Sequence, residues 1–157
     1  MIESQQKDAW CGPAALSYVM DRQGISVSQS ELAKKLHTNE DGTDENDIIR
    51  VAHEYGFRTV FMEGVDPDGI LNDLTRYVQN QNFPIVDYIM GDNLYDDGHF
   101  SVITGITNWE IVLWNPQLGR EEVRSRKGFI KNWIGEGSQG HREKYKFSSI
   151  VLVSKIK

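Results

Sequence analysis

The sequence predicts an α+β fold, with an N-terminal helical half packed on a C-terminal antiparallel β-sheet. Two observations carry that expectation. Between Cys11 and Val78 apolar residues recur mainly at helical spacing, interrupted by one strand-like run. From Pro84 onward the apolar runs are short, β-branched or aromatic, and bounded by turn residues. Helices first and strands after is the order of an α+β plan, not of alternating β–α units. The 157 residues, 39% hydrophobic and 25% charged, are enough for one core. The span 1–157 is expected to be a single domain.

The first helix is expected to open at Cys11. Pro13 suits a first turn, where its missing amide has no partner to lose. Ala14, Ala15, Leu16, Tyr18, Val19 and Met20 continue it, and Gly24 stops it. Ser28-Gln29-Ser30-Glu31 matches a capping box, after which Leu32, Ala33 and Leu36 give a short helix one apolar side. His37 to Gly42 is a polar loop. Thr43 is expected to cap a third helix that has Asp44, Glu45 and Asp47 in its first turn and ends at Gly56. Phe57 to Met62 reads as a strand, and Asp66-Pro67 as a cap opening a helix with Ile70, Leu71, Leu74, Tyr77 and Val78 on one face.

Strands are expected at Pro84–Met90, His99–Ile106, Trp109–Trp114, Glu121–Arg124 and Ser148–Ile156. A short helix, Lys127–Ile134, and a glycine-rich loop, Gly135–Gly140, precede the last. Thr107-Asn108 is read as a hairpin turn that brings Asn115 back beside His99.

Composition excludes several classes. The net charge is −6, from 17 basic and 23 acidic residues, with no basic stripe for nucleic acid. No apolar run approaches a membrane span, and the first residues do not form a signal peptide, so a cytoplasmic location is expected. One cysteine cannot make an internal disulfide, which suits a reducing compartment. One cysteine and scattered histidines have no metal-ligand spacing, and no cofactor is expected.

The single cysteine is the natural centre of a site. At the start of a helix, a thiolate gains from the dipole and its pKa is expected to fall. A cysteine can equally be a small buried hydrophobe, so its partners decide. His37 reads as solvated, His53 as a core-edge residue and His141 as exposed. His99 follows Gly98 and opens an apolar strand, which holds it rigidly at a cleft, as a general base requires. An Asn115 oxygen would orient its imidazole. For the oxyanion, Gln5 and Gln6 are equal candidates on spacing, acting with the Cys11 backbone amide.

These residues resemble the papain-like cysteine peptidases, and most closely the bacteriocin-processing, double-glycine leader peptidase-like branch, here as a free-standing domain. The branch has a glutamine, five residues, then Cys-Gly-Pro-Ala opening a helix, matched by Gln5 to Ala14. Its histidine opening an apolar strand is matched by His99 to Ile106. Its acid or amide before proline is matched by Asn115-Pro116. Transporter-linked members usually carry Asp where this chain has Asn115. The resemblance implies a papain-like fold and a thiol protease with Cys11, His99 and Asn115 as catalytic residues, and it selects Gln5 for the oxyanion hole. The substrate would be a peptide or protein, cleaved through a thioester acyl-enzyme. The same atoms also fit glutamine deamidation or acyl transfer, as in effectors and toxins, and a degenerate copy would serve only for peptide docking. An export, effector or immunity partner fits this reading. Asp92, Asp96 and Asp97 before His99 read as a solvated loop rather than a basic-substrate site.

Overall fold

The computed structural model describes residues 3–88, 98–133 and 147–154. Three helices come first: α1 (Cys11–Arg22), α2 (Gln29–Lys35) and α3 (Glu45–Glu54). They are followed by β1 (Phe57–Gly64), α4 (Pro67–Gln79), β2 (Ile85–Tyr88), β3 (His99–Ile106), β4 (Glu110–Asn115), β5 (Arg120–Ser125), α5 (Arg126–Asn132) and β6 (Phe147–Ser154). The strands form one sheet in the order β1-β6-β2-β3-β4-β5, and each neighbouring pair is antiparallel. This is the expected mixture of helices and antiparallel sheet. Among the described residues no helix is long and apolar enough to cross a membrane. The acidic loop at Asp92, Asp96 and Asp97, the glycine-rich loop Gly135–Gly140 and His141 lie outside the described residues.

Helices cover both faces of the sheet, which the sequence reading did not anticipate. Ile85, Phe100, Val102, Trp114, Ile150 and Leu152 pack against α1, α2 and α3. Val86, Tyr88, Ile103, Leu113 and Val151 pack against α4 and α5. The alternation along β2, β3 and β6 is the period of two that a strand buried on both sides imposes.

Most local signals act as read. Ser28 accepts the Glu31 amide at 3.1 Å, although the Glu31 carboxylate accepts from the Tyr55 hydroxyl at 2.7 Å instead of closing the box. The Asp66 side chain accepts the Gly69 amide ahead of α4. Two expectations need correction. Asp44, not Thr43, caps α3, accepting the Asn46 amide at 2.7 Å, because Thr43 bonds to Thr38 at 2.8 Å. His53 is exposed and bonds Thr59 at 3.0 Å; it faces solvent and not the core edge.

The β3–β4 hairpin differs in detail. Thr107, not Ile106, closes the turn: its amide donates to the Glu110 carbonyl at 2.9 Å, and its hydroxyl accepts the amides of Trp109 and Glu110. Trp109 is left outside the strand and 80% exposed. Between Ile103 and Gly105 the register slips by one residue, so Thr104 has no partner on β4. This bulge decides which face Asn115 occupies. Beyond it Val102 pairs with Trp114, so Asn115 shares the face of Ser101 and His99. Without it, Asn115 would point to the face of Phe100.

Candidate active site

Cys11 is the first residue of α1, and Trp10 before it provides no side-chain cap. The first amides of the helix are therefore left for the cysteine itself. The Phe100 amide also donates to Sγ, at 3.5 Å. The helix start approaches the 38–43 loop so closely that a Cβ on Gly12 would lie 2.5 Å from Thr43 Oγ1. Only glycine fits there.

Burial outweighs these amides. The thiol is pushed up from 9.0 to about 11, chiefly by removal from water, with the Asp87 carboxylate adding to the rise. The amides of Phe100, Gly12 and Cys11 pull the other way. The expected fall at the helix start is thus reversed.

His99 is 7% exposed at the head of β3. Its Nε2 lies 2.8 Å from Asn115 Oδ1. That atom also accepts the Gln117 amide at 3.0 Å, so it must be the oxygen of the amide. Nε2 then carries the proton, and Nδ1 is the nitrogen left to accept one. Burial holds the imidazole pKa below its ordinary value. The Asn115 bond and the Glu122 carboxylate oppose that, and Arg124 reinforces it. Both shifts favour the uncharged forms, thiol and imidazole.

Cys11 and His99 open into one cleft of about 520 Å³, whose wall includes Gln5, Gln6, Asp41 and Gln117. A larger open cleft runs between α2 and α3, lined by residues such as Lys34 and Arg50, and includes neither Cys11 nor His99.

Gln5 is held by the turn that follows Asn115: its amide donates to the Pro116 carbonyl at 2.7 Å. Its side-chain Nε2 donates to the carbonyls of Lys7 (3.1 Å) and Asp8 (2.8 Å). Its Oε1 is buried without a hydrogen-bond partner among the described residues. The Gln6 side chain is turned to Glu3 at 2.8 Å.

Three neighbours of the site escaped the sequence reading. Asp87 on β2 stands beside Gly98, where any side chain would collide with its carboxylate. Thr43 packs on Gly12. Glu122 on β5 accepts from Asn115 Nδ2 at 3.3 Å. The alternation of β5 was the available signal for Glu122, since Leu113 pairs with Glu122 and Asn115 lies two residues further along the same face.

This fold, with a lone cysteine opening a helix and a histidine opening a strand, is that of a cysteine peptidase. The chain belongs to the Peptidase C39 family, whose model matches residues 1–136. It is 31% identical over 135 residues to an uncharacterized protein of Methanothermobacter thermautotrophicus, covering 86% of this chain and 84% of that one. It is 28% identical over 126 residues to the transport/processing ATP-binding protein ComA of Streptococcus pneumoniae, covering 80% of this chain but 16% of ComA. Among solved structures, the peptidase domain of Streptococcus ComA superposes with a TM-score of 0.74 at 23% identity, covering 98% of this chain and 97% of that one. A double glycine motif protease from an AMS/PCAT transporter, in complex with its leader peptide, gives 0.71 at 14% identity, covering 97% and 89%.

Proposed function

We propose that this chain is a single peptidase domain that cleaves a peptide bond in a leader-bearing peptide, using Cys11, His99 and Asn115. The observation that carries the reading is the bond between His99 Nε2 and Asn115 Oδ1 at 2.8 Å, in a chain whose Phe100 amide contacts Cys11 Sγ. Asn115 fixes the tautomer, which leaves Nδ1 as the base for the thiol proton.

With burial favouring the uncharged thiol and imidazole, the proton moves as the substrate is attacked. Sγ–H gives its proton to His99 Nδ1 while sulfur bonds to the amide carbonyl carbon. The Cys11 amide and the Gln5 Nε2–H stabilise the resulting oxyanion, each contributing roughly 2.7–4 kcal/mol. Gln5 does so by exchanging its longer bond, to the Lys7 carbonyl at 3.1 Å, for the substrate oxygen. His99 then protonates the leaving amine, and water, activated by the same imidazole, releases the acyl-enzyme.

Support for a leader peptide comes from two relatives: one is named for transport and processing, and the other is held with a leader peptide. A cytoplasmic location fits the lone unpaired cysteine.

The test is incubation with synthetic double-glycine leader peptides, read by mass spectrometry. Wild type is expected to yield two fragments, and Cys11→Ala none while keeping its circular dichroism. Uncleaved peptide with a wild-type protein that adds or removes a side-chain amide would instead make it a deamidase or acyltransferase.

A further inference from the structure

Glu122 gathers three bonds on one carboxylate oxygen. Asn115 Nδ2 donates to its Oε1 at 3.3 Å, the Tyr88 hydroxyl at 3.4 Å and Arg124 Nε at 3.2 Å. Among the described residues, Asn115 and Tyr88 both hold the imidazole. Asn115 bonds its Nε2, and the Tyr88 ring meets it edge-on with centroids 5.9 Å apart. Tyr88 is itself fixed by the Ser101 hydroxyl at 3.2 Å and by the Arg124 guanidinium 5.0 Å over its ring. One carboxylate on β5 therefore ties together the supports of His99 from β4 and β2.

We propose that Glu122 is a positioning residue of this peptidase, which locks the Asn115 amide with its oxygen toward His99 and lends the pair a negative charge from one residue further out. The inference rests on the reading of His99 as the base. An asparagine alone can orient an imidazole but cannot neutralise an imidazolium. Here the charge stands behind the amide, and the Asn115 dipole passes its effect to the ring. Cys-His-Asn backed by Glu122 thus does the electrostatic work of a directly bonded aspartate.

Other charges face the imidazole. Arg124 on β5 opposes Glu122, yet it is bonded to the same oxygen, and the carboxylate has the greater effect on His99. Asp87 on β2 acts on the neighbouring Cys11. Tyr88 keeps its proton, because burial raises its pKa to about 12.

The experiment follows the His99 ring by NMR titration in wild type, Glu122→Gln and the double variant Asn115→Asp/Glu122→Gln, with leader-peptide cleavage measured alongside. Gln keeps an acceptor for Asn115 Nδ2 while removing the carboxylate charge and, with it, the counter-charge of Arg124. Glu122→Gln is expected to lower the His99 pKa and move the acidic limb of kcat/KM to lower pH. It should also reduce kcat several-fold with KM unchanged. The double variant returns a charge directly to the imidazole and is expected to restore the pKa and most of kcat. A His99 titration unchanged by Glu122→Gln overturns the proposal. Should Glu122→Gln fail to fold, Glu122→Asp retracts the carboxylate and is expected to move the titration the same way by less. An unmoved His99 there is equally fatal. If wild type cleaves no peptide, the peptidase reading falls and the titration still decides the role of Glu122. Cleavage with an unmoved His99 removes the Glu122 role alone.

Discussion

The Phe100 amide donates to Cys11 Sγ at 3.5 Å, so the backbone beside the imidazole grips the sulfur. The two groups come from the sheet and from α1, elements 89 residues apart in the chain. The contact holds a sulfur that is partly buried at the wall of the cleft. Its environment favours the protonated form, since burial pushes the thiol up to about 11.

Alkylation of Cys11 should therefore be slow in the free protein. Intact mass after brief iodoacetamide treatment is expected to show little adduct near pH 7 and a steep rise only as pH climbs toward 11. His99→Ala should change that profile little, because burial favours the uncharged form of both groups. Rapid labelling near pH 5, lost in His99→Ala, would contradict it and reveal a preformed thiolate.

The same two groups set a window of pH stability. The thiol pKa is higher in the folded chain than unfolded, so folding is favoured while the thiol stays protonated, and stability falls as pH rises from 9.0 through about 11. At 1.36 kcal/mol per pKa unit, the loss reaches about 3 kcal/mol. The imidazole pKa is lower in the folded chain, so its contribution is present above its unfolded value of 6.5 and is lost as pH falls below that. Urea unfolding across pH should show a plateau between these limits. Cys11→Ala should make the alkaline side shallower, the remaining slope coming from tyrosines such as Tyr88 whose pKa is also raised, and an unchanged alkaline slope would count against the burial of the thiol.

Gly12→Ala should damage both fold and cleft. The new methyl would meet Thr43 Oγ1 at 2.5 Å and Thr43 Cβ at 2.7 Å, and Thr43 is tied to Thr38. Forcing that contact apart costs about 1–3 kcal/mol. It also moves the loop that carries Glu40, Asp41 and Gly42 along the cleft. Denaturant melts should show the loss, and Thr43→Gly in the same chain should recover most of it. A Gly12→Ala protein as stable as wild type would mean that the loop yields freely.

The elements legible in the sequence were those with local causes. Pro13 in a first turn, Ser28 before Glu31 and Asp66 before Pro67 each act within four residues, and each lies where the pattern put it. Asn115 is a different case. A two-residue turn at Thr107-Asn108 would pair Ile106 with Trp109, and strict pairing from there sets Asn115 opposite Phe100, on the wrong face. The turn forms one residue later, and the Thr104 bulge then shifts the register again, so that Asn115 meets His99. The hairpin reading thus put Asn115 beside His99 through a register that the chain does not use, and the slip at Thr104 that sets the true one is a property of the paired strands, with no turn residue to mark it. The acidity of Cys11 was misjudged for a similar reason. The helix start is written locally, but the burial that overrides it comes from the assembled core of helices and strands against which Cys11 packs.

Gln5 separates a clamp from a donor. At rest its Nε2 protons are spent on the Lys7 and Asp8 carbonyls, which shapes the turn leading into Cys11. Its Oε1 is buried with no hydrogen-bond partner among the described residues, a desolvation cost carried beside those two bonds. That cost is intelligible if the amide must be present for the oxyanion. Gln5→Ala is then expected to lower kcat by about 10²–10³-fold while KM changes little, and Gln6→Ala should leave kcat nearly untouched. Steady-state cleavage of a leader peptide by the two variants decides the matter. A Gln5→Ala enzyme with normal kcat and raised KM would make Gln5 a clamp for the Lys7–Trp10 turn and leave the Cys11 amide to hold the oxyanion without it.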